Sequence, residues 1–284
     1  MLRSLFAGIS GLRANQTSLD VTGNNIANAN TVGYKSSRTI FQDTLSQQMT
    51  GATSANANRG GTNPIQIGLG VQLGATAMNL NQGSAQTTGK PTDLMLQGDG
   101  MFVVQRGTEQ IFTRAGAFTF DETSTLTTPA GGRVQGYAYD AATGTFDTSA
   151  LVDITLDTTG LGLPAGVGLT SYAFGSDGVL RGVFSDGVQR DMAQLAVANF
   201  NNPQGLQKVG ETSFMATANS GLAQVGVAGG GGNGTVIGGA LEMSNVDLAA
   251  EFTDLILAQR GFQASSRVIT TSDQVLEELV NIKR

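Results

Sequence analysis

The chain has 284 residues, of which 40% are hydrophobic and 13% are charged, a composition that can form a core in one or two domains. It contains neither His nor Cys and so lacks the commonest general base, the thiol nucleophile and the usual zinc ligands. We therefore predict no enzyme, cofactor or metal site, and the net charge of −6 argues against nucleic-acid binding, which needs many basic side chains.

The first predicted element is an amphipathic helix from residue 1 to about residue 30. Its apolar residues recur every seven positions at Leu5, Leu12, Leu19 and Ile26, with Ile9 on the adjoining track. Seven residues make about two helical turns, so these side chains line one face. We expect Gly33, which tolerates a left-handed conformation, to end the helix.

The N-terminus does not have the pattern of a cleaved signal peptide. Polar residues such as Arg13, Asn15 and Gln16 interrupt the apolar run before it reaches a useful length. No apolar run approaches the roughly 20 residues of a membrane span. We expect any export to proceed without a cleaved signal.

The middle of the chain changes from polar, small residues to short alternating runs. Residues 44–66 predict an extended linker, and 67–240 predict an antiparallel β-domain. Three Asp-Gly pairs predict hairpin turns at 99–100, 177–178 and 186–187, with strands at 179–184 and 195–200. Residues 141–170 are too few for a further domain and predict a loop or hairpin.

The last predicted element is a helix from about residue 246 to about residue 281. It follows a flexible glycine tract at 229–232 and an expected capping box at 244–247. Its apolar ladder comprises Leu248, Leu255, Phe262, Ile269 and Leu276, with Phe252 beside it. Polar residues on the second track, Gln259, Ser266 and Asp273, favour assembly between helices over a sealed core.

These elements predict an α+β fold in which N- and C-terminal helices form a coiled-coil-like layer beside a central antiparallel all-β domain. The expected domains are a terminal helical assembly domain (1–43 and 241–284), a linker (44–66) and the β-domain (67–240). We expect the two helices to pack together within one subunit, and pairing between subunits is the alternative.

Two weaker patterns have simpler explanations. Gly68, Gly70 and Gly74 only loosely resemble a phosphate-binding loop, and turns or tight strand packing account for them better. The acidic groups at 93 and 99, or at 121 and 122, could form a glycosidase pair, but Asp is also an ordinary turn residue.

Several strings resemble the bacterial flagellar rod and hook axial proteins, in the family's order along nearly the whole chain. Strings similar to the central β-domain of that family lie at 97–103, 113–118 and 198–206. The residues that match its terminal signatures are Asn25, Ala27, Asn28, Gly33, Tyr34, Lys35, Ser244, Asn245, Val246, Gln259 and Arg260.

The resemblance implies a structural subunit exported by the flagellar type III apparatus and polymerised with itself into a helical tube. The terminal strings look more like those of the hook protein than those of the distal rod protein. The distal rod protein is the alternative, because this chain lacks the outer domain that many hook proteins carry. The implied location is the flagellar hook or basal body, outside the cell. The implied partners are rod proteins, the hook cap and the hook–filament junction proteins, with no nucleic acid or small-molecule substrate.

The resemblance and the two ladders together predict an assembly interface on the terminal helices. Its expected residues are Leu5, Ile9, Leu12, Leu19, Ile26, Leu248, Phe252, Leu255, Gln259, Phe262, Ile269 and Leu276.

Overall fold

The computed structural model describes residues 2–56, 59–140, 144–156 and 168–282. It has a helix at each end and an antiparallel β-rich centre, so the predicted α+β class is confirmed. The chain divides into two compact units. The helical unit comprises Met1–Ala27, Ser37–Asn79 and Val246–Arg284, and the β unit comprises Asn28–Ser36 and Leu80–Asn245.

The helical unit contains helices α1 (Leu2–Ala27) and α2 (Leu248–Ile282). Helix α2 begins at an Asp247 N-cap, whose Oδ1 accepts hydrogen bonds from the backbone N–H groups of Ala249 and Ala250. We expected a capping box at 244–247, but only its last residue caps the helix. Neither described helix is both long and apolar enough to cross a membrane.

The helical unit also contains a long β-hairpin. Its strands are β1 (Ser37–Asp43), β2 (Ser46–Thr50), β3 (Ile65–Gly68) and β4 (Val71–Met78). Strand β1 pairs antiparallel with β4 and β2 with β3, and bridges at Thr53–Thr62 and Asn56–Arg59 continue the ladder. The described part of 44–66, which we expected to be a linker, therefore belongs to the arms of this hairpin. Residues 67–79, which we assigned to the β-domain, lie in the helical unit.

The β unit is built on one large antiparallel sheet. Its main strands are β7 (Met101–Arg106), β8 (Glu109–Thr113), β11 (Arg133–Asp140), β14 (Leu169–Phe174), β15 (Val179–Phe184), β16 (Gln189–Asn199), β17 (Gln207–Gly210) and β18 (Ser213–Met215). Their order across the sheet is β14–β15–β16–β11–β7–β8–β18–β17. Shorter strands pair with the interior strands β11 and β16 or with each other: β9 (Thr119–Phe120), β10 (Leu126–Thr127), β12 (Thr145–Phe146), β13 (Val152–Asp153) and β19 (Gln224–Val227).

Two further strand pairs join the first and last parts of the β unit's sequence. Strand β6 (Leu94–Gln97) pairs with β20 (Thr235–Gly238), and β5 (Ala85–Thr87) pairs with β21 (Ala240–Glu242).

The core of the β unit is aromatic and aliphatic. Phe102 is fully buried on β7, and its ring meets Phe118 edge-on with the centroids 5.2 Å apart. Leu96, Leu180 and Leu195, from three other strands, are also fully buried in this cluster. Along β15, the buried Leu180, Gly182 and Phe184 alternate with the less buried Arg181 and Val183, as expected of a strand with one covered face.

The predicted turns were right at two of three positions. Gly178 and Gly187 have φ values of +72° and +77° and connect β14 to β15 and β15 to β16, which pair as hairpins. The prediction at 99–100 was wrong, because β6 pairs with β20 and not with β7. The predicted loop or hairpin at 141–170 contains β12 and β13, both paired with β11; residues 141–143 and 157–167 lie outside the described residues.

Candidate assembly site

Helices α1 and α2 pack antiparallel. A Cβ added to Gly8 would lie 3.2 Å from Cγ1 of Ile269, and one added to Gly261 would lie 2.5 Å from Oδ1 of Asn15. As residue numbers rise along α1, those of the contacted residues fall along α2. Pairing of the terminal helices within one subunit, which we expected, is what the structure shows.

Small and polar residues form the contact between the helices. On α1 the residues with described contacts to α2 are Ser4, Gly8, Gly11, Asn15 and Asn25. Ser18 and Thr22 continue the same spacing of four and three residues. The residues of α2 with described contacts include Glu251, Gly261, Ser265 and Ser272. Because these side chains are short, the two backbones approach closely, and the ladder residue Ile269 packs directly against Gly8.

The predicted interface residues are half-buried or exposed in the single chain. Half-buried positions are Leu5, Ile9, Leu12, Leu19, Ile26, Leu255, Phe262, Ile269 and Leu276. Leu248, Phe252 and Gln259 are exposed. Ala258 is the buried residue that the structure shows on α2, so the described part of this helix leaves much apolar surface open to solvent. Of the polar track, Ser266 is half-buried and Asp273 is exposed.

Asn25 fixes the last turn of α1 to two other elements. Its side chain is only 2% exposed, and its Nδ2 donates to Glu251 Oε1 at 2.9 Å and to the carbonyl of Ser37 at 2.7 Å. Its Oδ1 accepts the N–H of Ser37 at 3.1 Å. One amide therefore joins α1 to the start of α2 and the start of β1.

The carboxyl group of Glu251 has a raised pKa in this setting. Burial is the largest cause, and the nearby carboxylates of Asp254 and Asp247 act in the same direction. The hydrogen bond from Asn25 opposes them.

A second constellation, in the β unit, contains Lys35 of the terminal signature. Lys35 is 1% exposed, and its Nζ donates to Glu242 Oε1 at 2.6 Å and to the carbonyl of Asn81 at 2.9 Å. Glu242 is fully buried; its Oε2 accepts Arg114 Nη1 at 3.2 Å, and its Oε1 also accepts the N–H of Gly83 at 2.9 Å. Burial lowers the pKa of Lys35, and the hydrogen bond to Glu242 opposes that shift.

We call Lys35, Glu242 and Arg114 the buried ion triad. Arg114 also donates from Nη1 to the carbonyl of Leu96 at 3.2 Å and from Nη2 to that of Gly98 at 2.5 Å. Every charge in the triad thus has a partner, which a buried charge needs. The triad joins three segments of the β unit that are far apart in sequence.

Gly33 and Tyr34 position the segment that carries Lys35. Gly33 has φ +69°, donates its N–H to the carbonyl of Glu242 at 2.8 Å, and lies so close to Ala115 that an added Cβ would be 2.4 Å from its nitrogen. The residue is left-handed as expected, but α1 already ends at residue 27, so Gly33 does not terminate it.

The face of Tyr34 lies against a further cation, Lys208 on the exposed strand β17. Lys208 Nζ lies 5.1 Å from the centre of the Tyr34 ring and donates to the carbonyl of Lys35 at 3.2 Å. Burial lowers the pKa of Lys208. Tyr34 therefore packs against this cation, which also binds the carbonyl of the next residue, Lys35.

The C-terminal signature also contacts the segment that carries Lys35. Asn245 Oδ1 accepts the N–H of Ser36 at 2.9 Å, and its Nδ2 donates to the carbonyl of Asn81 at 2.9 Å. Ser244 is buried and Val246 is half-buried. The two signatures therefore meet around Lys35 and Asn81, although they are more than 200 residues apart.

The remaining signature residues lie elsewhere. Asn28 is half-buried and accepts the Thr31 hydroxyl on its Oδ1 at 3.1 Å, whereas Ala27 is exposed. Gln259 and Arg260 are exposed on α2. Sequence reasoning did not identify Glu242 and Arg114 as partners of Lys35. The available signal was the presence of charged residues inside otherwise apolar strings of a chain with few charges.

The acidic groups that could have suggested catalysis have structural contacts. Asp121 Oδ1 accepts the backbone N–H groups of Thr123 and Thr125, and these hydrogen bonds lower its pKa. Asp93 Oδ2 accepts the hydroxyl of Thr88 at 2.5 Å. Across the described residues, no group of three or more acidic side chains is placed to hold a metal ion.

Comparison with protein-family models matches three parts of the chain. Residues 5–35 match the flagella basal body rod protein model, 95–182 the D1 domain of flagellar hook protein FlgE/F/G, and 237–282 the C-terminal model of the flagellar basal body rod FlgEFG protein. The matched segments contain both terminal signatures, Arg114 and Glu242.

Full-length relatives carry two kinds of names. The chain is 43% identical to flagellar basal-body rod protein FlgG of Bacillus subtilis over 285 positions, covering all of both chains. It is 35% identical to FlgG of Caulobacter vibrioides over 97% of each chain. It is also 30% identical to flagellar hook protein FlgE of Borreliella burgdorferi, over all of both chains but across 446 positions. The chain therefore belongs to the family of bacterial flagellar basal-body rod and hook proteins.

Proposed function

We propose that the protein is the structural subunit of the distal flagellar rod, a non-catalytic chain that polymerises with itself through its terminal helices. The observation that favours the rod protein over the hook protein is the length of the alignments. The comparison with the Bacillus rod protein needs 285 positions for 284 residues, whereas the Borreliella hook protein needs 446. The hook assignment is supported by the terminal strings and by relatives named flagellar hook protein FlgE, such as that of Borreliella burgdorferi.

The helical unit supports self-assembly because a single copy leaves apolar helix surface uncovered. Phe6 is 63% exposed on α1, and Ile256 and Leu257 are 55% and 64% exposed on α2. Large exposed apolar patches on soluble chains mark interaction sites. A neighbouring copy can supply the burial that two paired helices lack alone.

The proposed partners follow from this place in the flagellum. They are further copies of the chain, other rod proteins on one side and hook proteins on the other, after delivery through the flagellar type III apparatus. Contacts with the hook cap or with the hook–filament junction proteins would instead belong to a hook subunit.

Microscopy of flagella from a deletion strain tests the proposal. Loss of the gene for a distal rod subunit should leave basal bodies with a truncated rod and no hook, and expression of the chain should restore both. Basal bodies with a complete rod that lack only the hook would contradict the rod assignment. Purified polymer gives a second reading, because a rod subunit should form straight tubes and a hook subunit curved ones.

A further inference from the structure

The loop between β19 and β20 carries a chemically reactive pair of residues, Asn233 and Gly234. They form the one Asn-Gly pair in the sequence. Asn followed by Gly is the pair most prone to deamidation, because Gly has no side chain to shield its backbone nitrogen and lets the backbone bend freely. In an unfolded chain the nitrogen of Gly234 can therefore reach Cγ of Asn233.

Deamidation at this pair proceeds in two steps. The backbone nitrogen of Gly234 attacks Cγ of Asn233 and gives up its proton; the bond between Cγ and Nδ2 breaks, and the departing amino group takes up that proton and leaves as ammonia. One water molecule then opens the resulting succinimide ring, which leaves aspartate or isoaspartate at position 233. A neutral amide has thereby become a carboxylate.

The folded loop holds both reacting groups in hydrogen bonds. The N–H of Gly234 donates to the carbonyl of Asp99 at 2.7 Å, and Nδ2 of Asn233 donates to the carbonyl of Val227 at 3.2 Å. For the reaction, the Gly234 nitrogen has to leave its partner and lose the proton that it shares with Asp99. A buried backbone group gives up such a partner only at a cost, so the folded loop opposes the first step.

Packing restrains the same two residues. Gly234 is buried, and a Cβ added to it would lie 2.4 Å from the carbonyl oxygen of Gln97. Asn233 is half-buried, and its Nδ2 would lie 3.0 Å from a Cβ added to Gly226. The bend that brings the Gly234 nitrogen to Cγ of Asn233 therefore requires the loop to open.

The glycine tract at 229–232, which we expected to be flexible, is hydrogen-bonded to the pair. The N–H of Gly229 donates to the carbonyl of Gly234 at 2.9 Å, and the N–H of Asn233 donates to the carbonyl of Gly230 at 3.0 Å. The tract thus folds back on residues 233–234 and closes the loop around them.

The product of deamidation does not fit this loop. A carboxylate at position 233 places an oxygen where Nδ2 now donates to the Val227 carbonyl, so two acceptors face each other without a proton between them. Isoaspartate adds one carbon to the main chain and displaces Gly234, which has no spare room beside Gln97. Either product should weaken the connection between β19 and β20.

We propose that Asn233 is a modification site of the unfolded chain: folding of the β unit closes the site, and deamidation there weakens that unit. The inference goes beyond the proposed function and is independent of it, because it holds for a rod subunit and a hook subunit alike. Chains that remain unfolded for long should accumulate the modified form.

Hydroxylamine tests the first part, because it attacks the same succinimide ring and cuts the chain after residue 233. Wild-type chain is treated at mildly alkaline pH, in buffer and in guanidinium chloride, and circular dichroism shows which samples are folded. Unfolded chain should yield two fragments, 1–233 and 234–284. Folded chain should be cut at least about tenfold more slowly, because the loop must first open.

Two controls accompany this measurement. A synthetic peptide of residues 229–239 corrects for the effect of the denaturant on the reaction itself. Asn233→Gln should resist hydroxylamine in both states, because the longer side chain forms the corresponding ring far more slowly. Equal rates of cutting for folded and unfolded wild-type chain, after that correction, would overturn the inference.

Asn233→Asp tests the second part, because it supplies one of the two products directly. It should unfold at a lower urea concentration than the wild-type chain, and failure to fold would be the same effect in its extreme form. The matched control is Asn201→Asp: Asn201 is exposed, and its Oδ1 accepts Gln224 Nε2 at 3.0 Å, which a carboxylate can also do. Equal urea midpoints for the two variants would show that the modification does not weaken the β unit.

Discussion

At the scale of single residues, the buried ion triad is a feature in which each buried charge depends on its partners. Glu242 is the shared anion of two buried cations, Lys35 and Arg114. Removing one member of such a group leaves uncompensated charge in a medium that solvates it poorly. Glu242, the single anion between two buried cations, should therefore be the member most sensitive to substitution.

We predict that Glu242→Gln lowers the free energy of unfolding by about 3–5 kcal/mol, because it leaves two buried cations without a counter-charge. Urea unfolding of the full chain measures the change. The control is Glu211→Gln, since Glu211 pairs with Arg106 at the surface and is 57% exposed. Surface pairs contribute about 1 kcal/mol or less, so equal losses from both variants would contradict the role of the triad.

Glu251 gives a pH-dependent prediction. Because burial raises its pKa, the Glu251 carboxyl group binds a proton more tightly in the folded chain than in the unfolded chain, where its pKa is about 4.5. The stability that protonation contributes is present below that value and is lost as the pH rises through the folded pKa.

Glu251→Gln should therefore flatten the decline of the thermal midpoint as the pH rises from about 4.5, since Gln has no proton to lose. Its amide can still accept the hydrogen bond from Asn25. Glu277→Gln, an exposed position on α2, is the control and should leave the decline unchanged. An identical pH profile for Glu251→Gln and the wild-type chain would rule out Glu251 as its source.

At the scale of elements, the core of the β unit depends on strand β7. Phe102→Ala should lower the free energy of unfolding by about 3–5 kcal/mol, because the ring is fully buried and leaves a cavity beside Phe118. Phe6→Ala, at a position that is 63% exposed in a single chain, is the control for the monomer and should cost much less. Chemical unfolding of monomeric chain compares the two.

Periodic patterns predicted the elements well, and patterns that depend on distant partners were less informative. The seven-residue ladders predicted both helices, and the Asp-Gly pairs predicted the turns on either side of β15. The paired arms at 44–66 were missed because a Gly-, Ser- and Asn-rich strand has little hydrophobic alternation.

The candidate site shows the same limit. Apolar spacing identified Ile269, which lies against Gly8, but it did not identify the small residues of the contact, such as Gly8 and Gly261, because hydrophobic patterns do not detect them. The motif strings contained Lys35, and only the folded chain shows that Glu242 is its partner.

At the scale of the whole molecule, the helices and the β unit should respond separately to mutation. Leu12→Asp or Leu255→Asp puts a charge beside the helix contact, where burial by a neighbouring copy would be costly. We expect either variant to keep the β unit folded and to abolish polymerisation. Sedimentation measures polymer, and near-ultraviolet circular dichroism reports the β unit.

The control for these variants is Gln263→Asp, at an exposed polar position on α2. It should polymerise as the wild-type chain does. Normal tubes from both Leu12→Asp and Leu255→Asp would contradict the assembly role of the ladders.

The buried ion triad also has a consequence for the order in which the chain can fold. Its anion lies 207 residues after Lys35 and 128 residues after Arg114. Any N-terminal fragment that ends between residues 114 and 242 contains both cations without their counter-charge, and closing such long loops slows folding. The β unit therefore completes its folding only after almost the entire chain is available. Until strand β21 is present, the β unit stays incompletely folded.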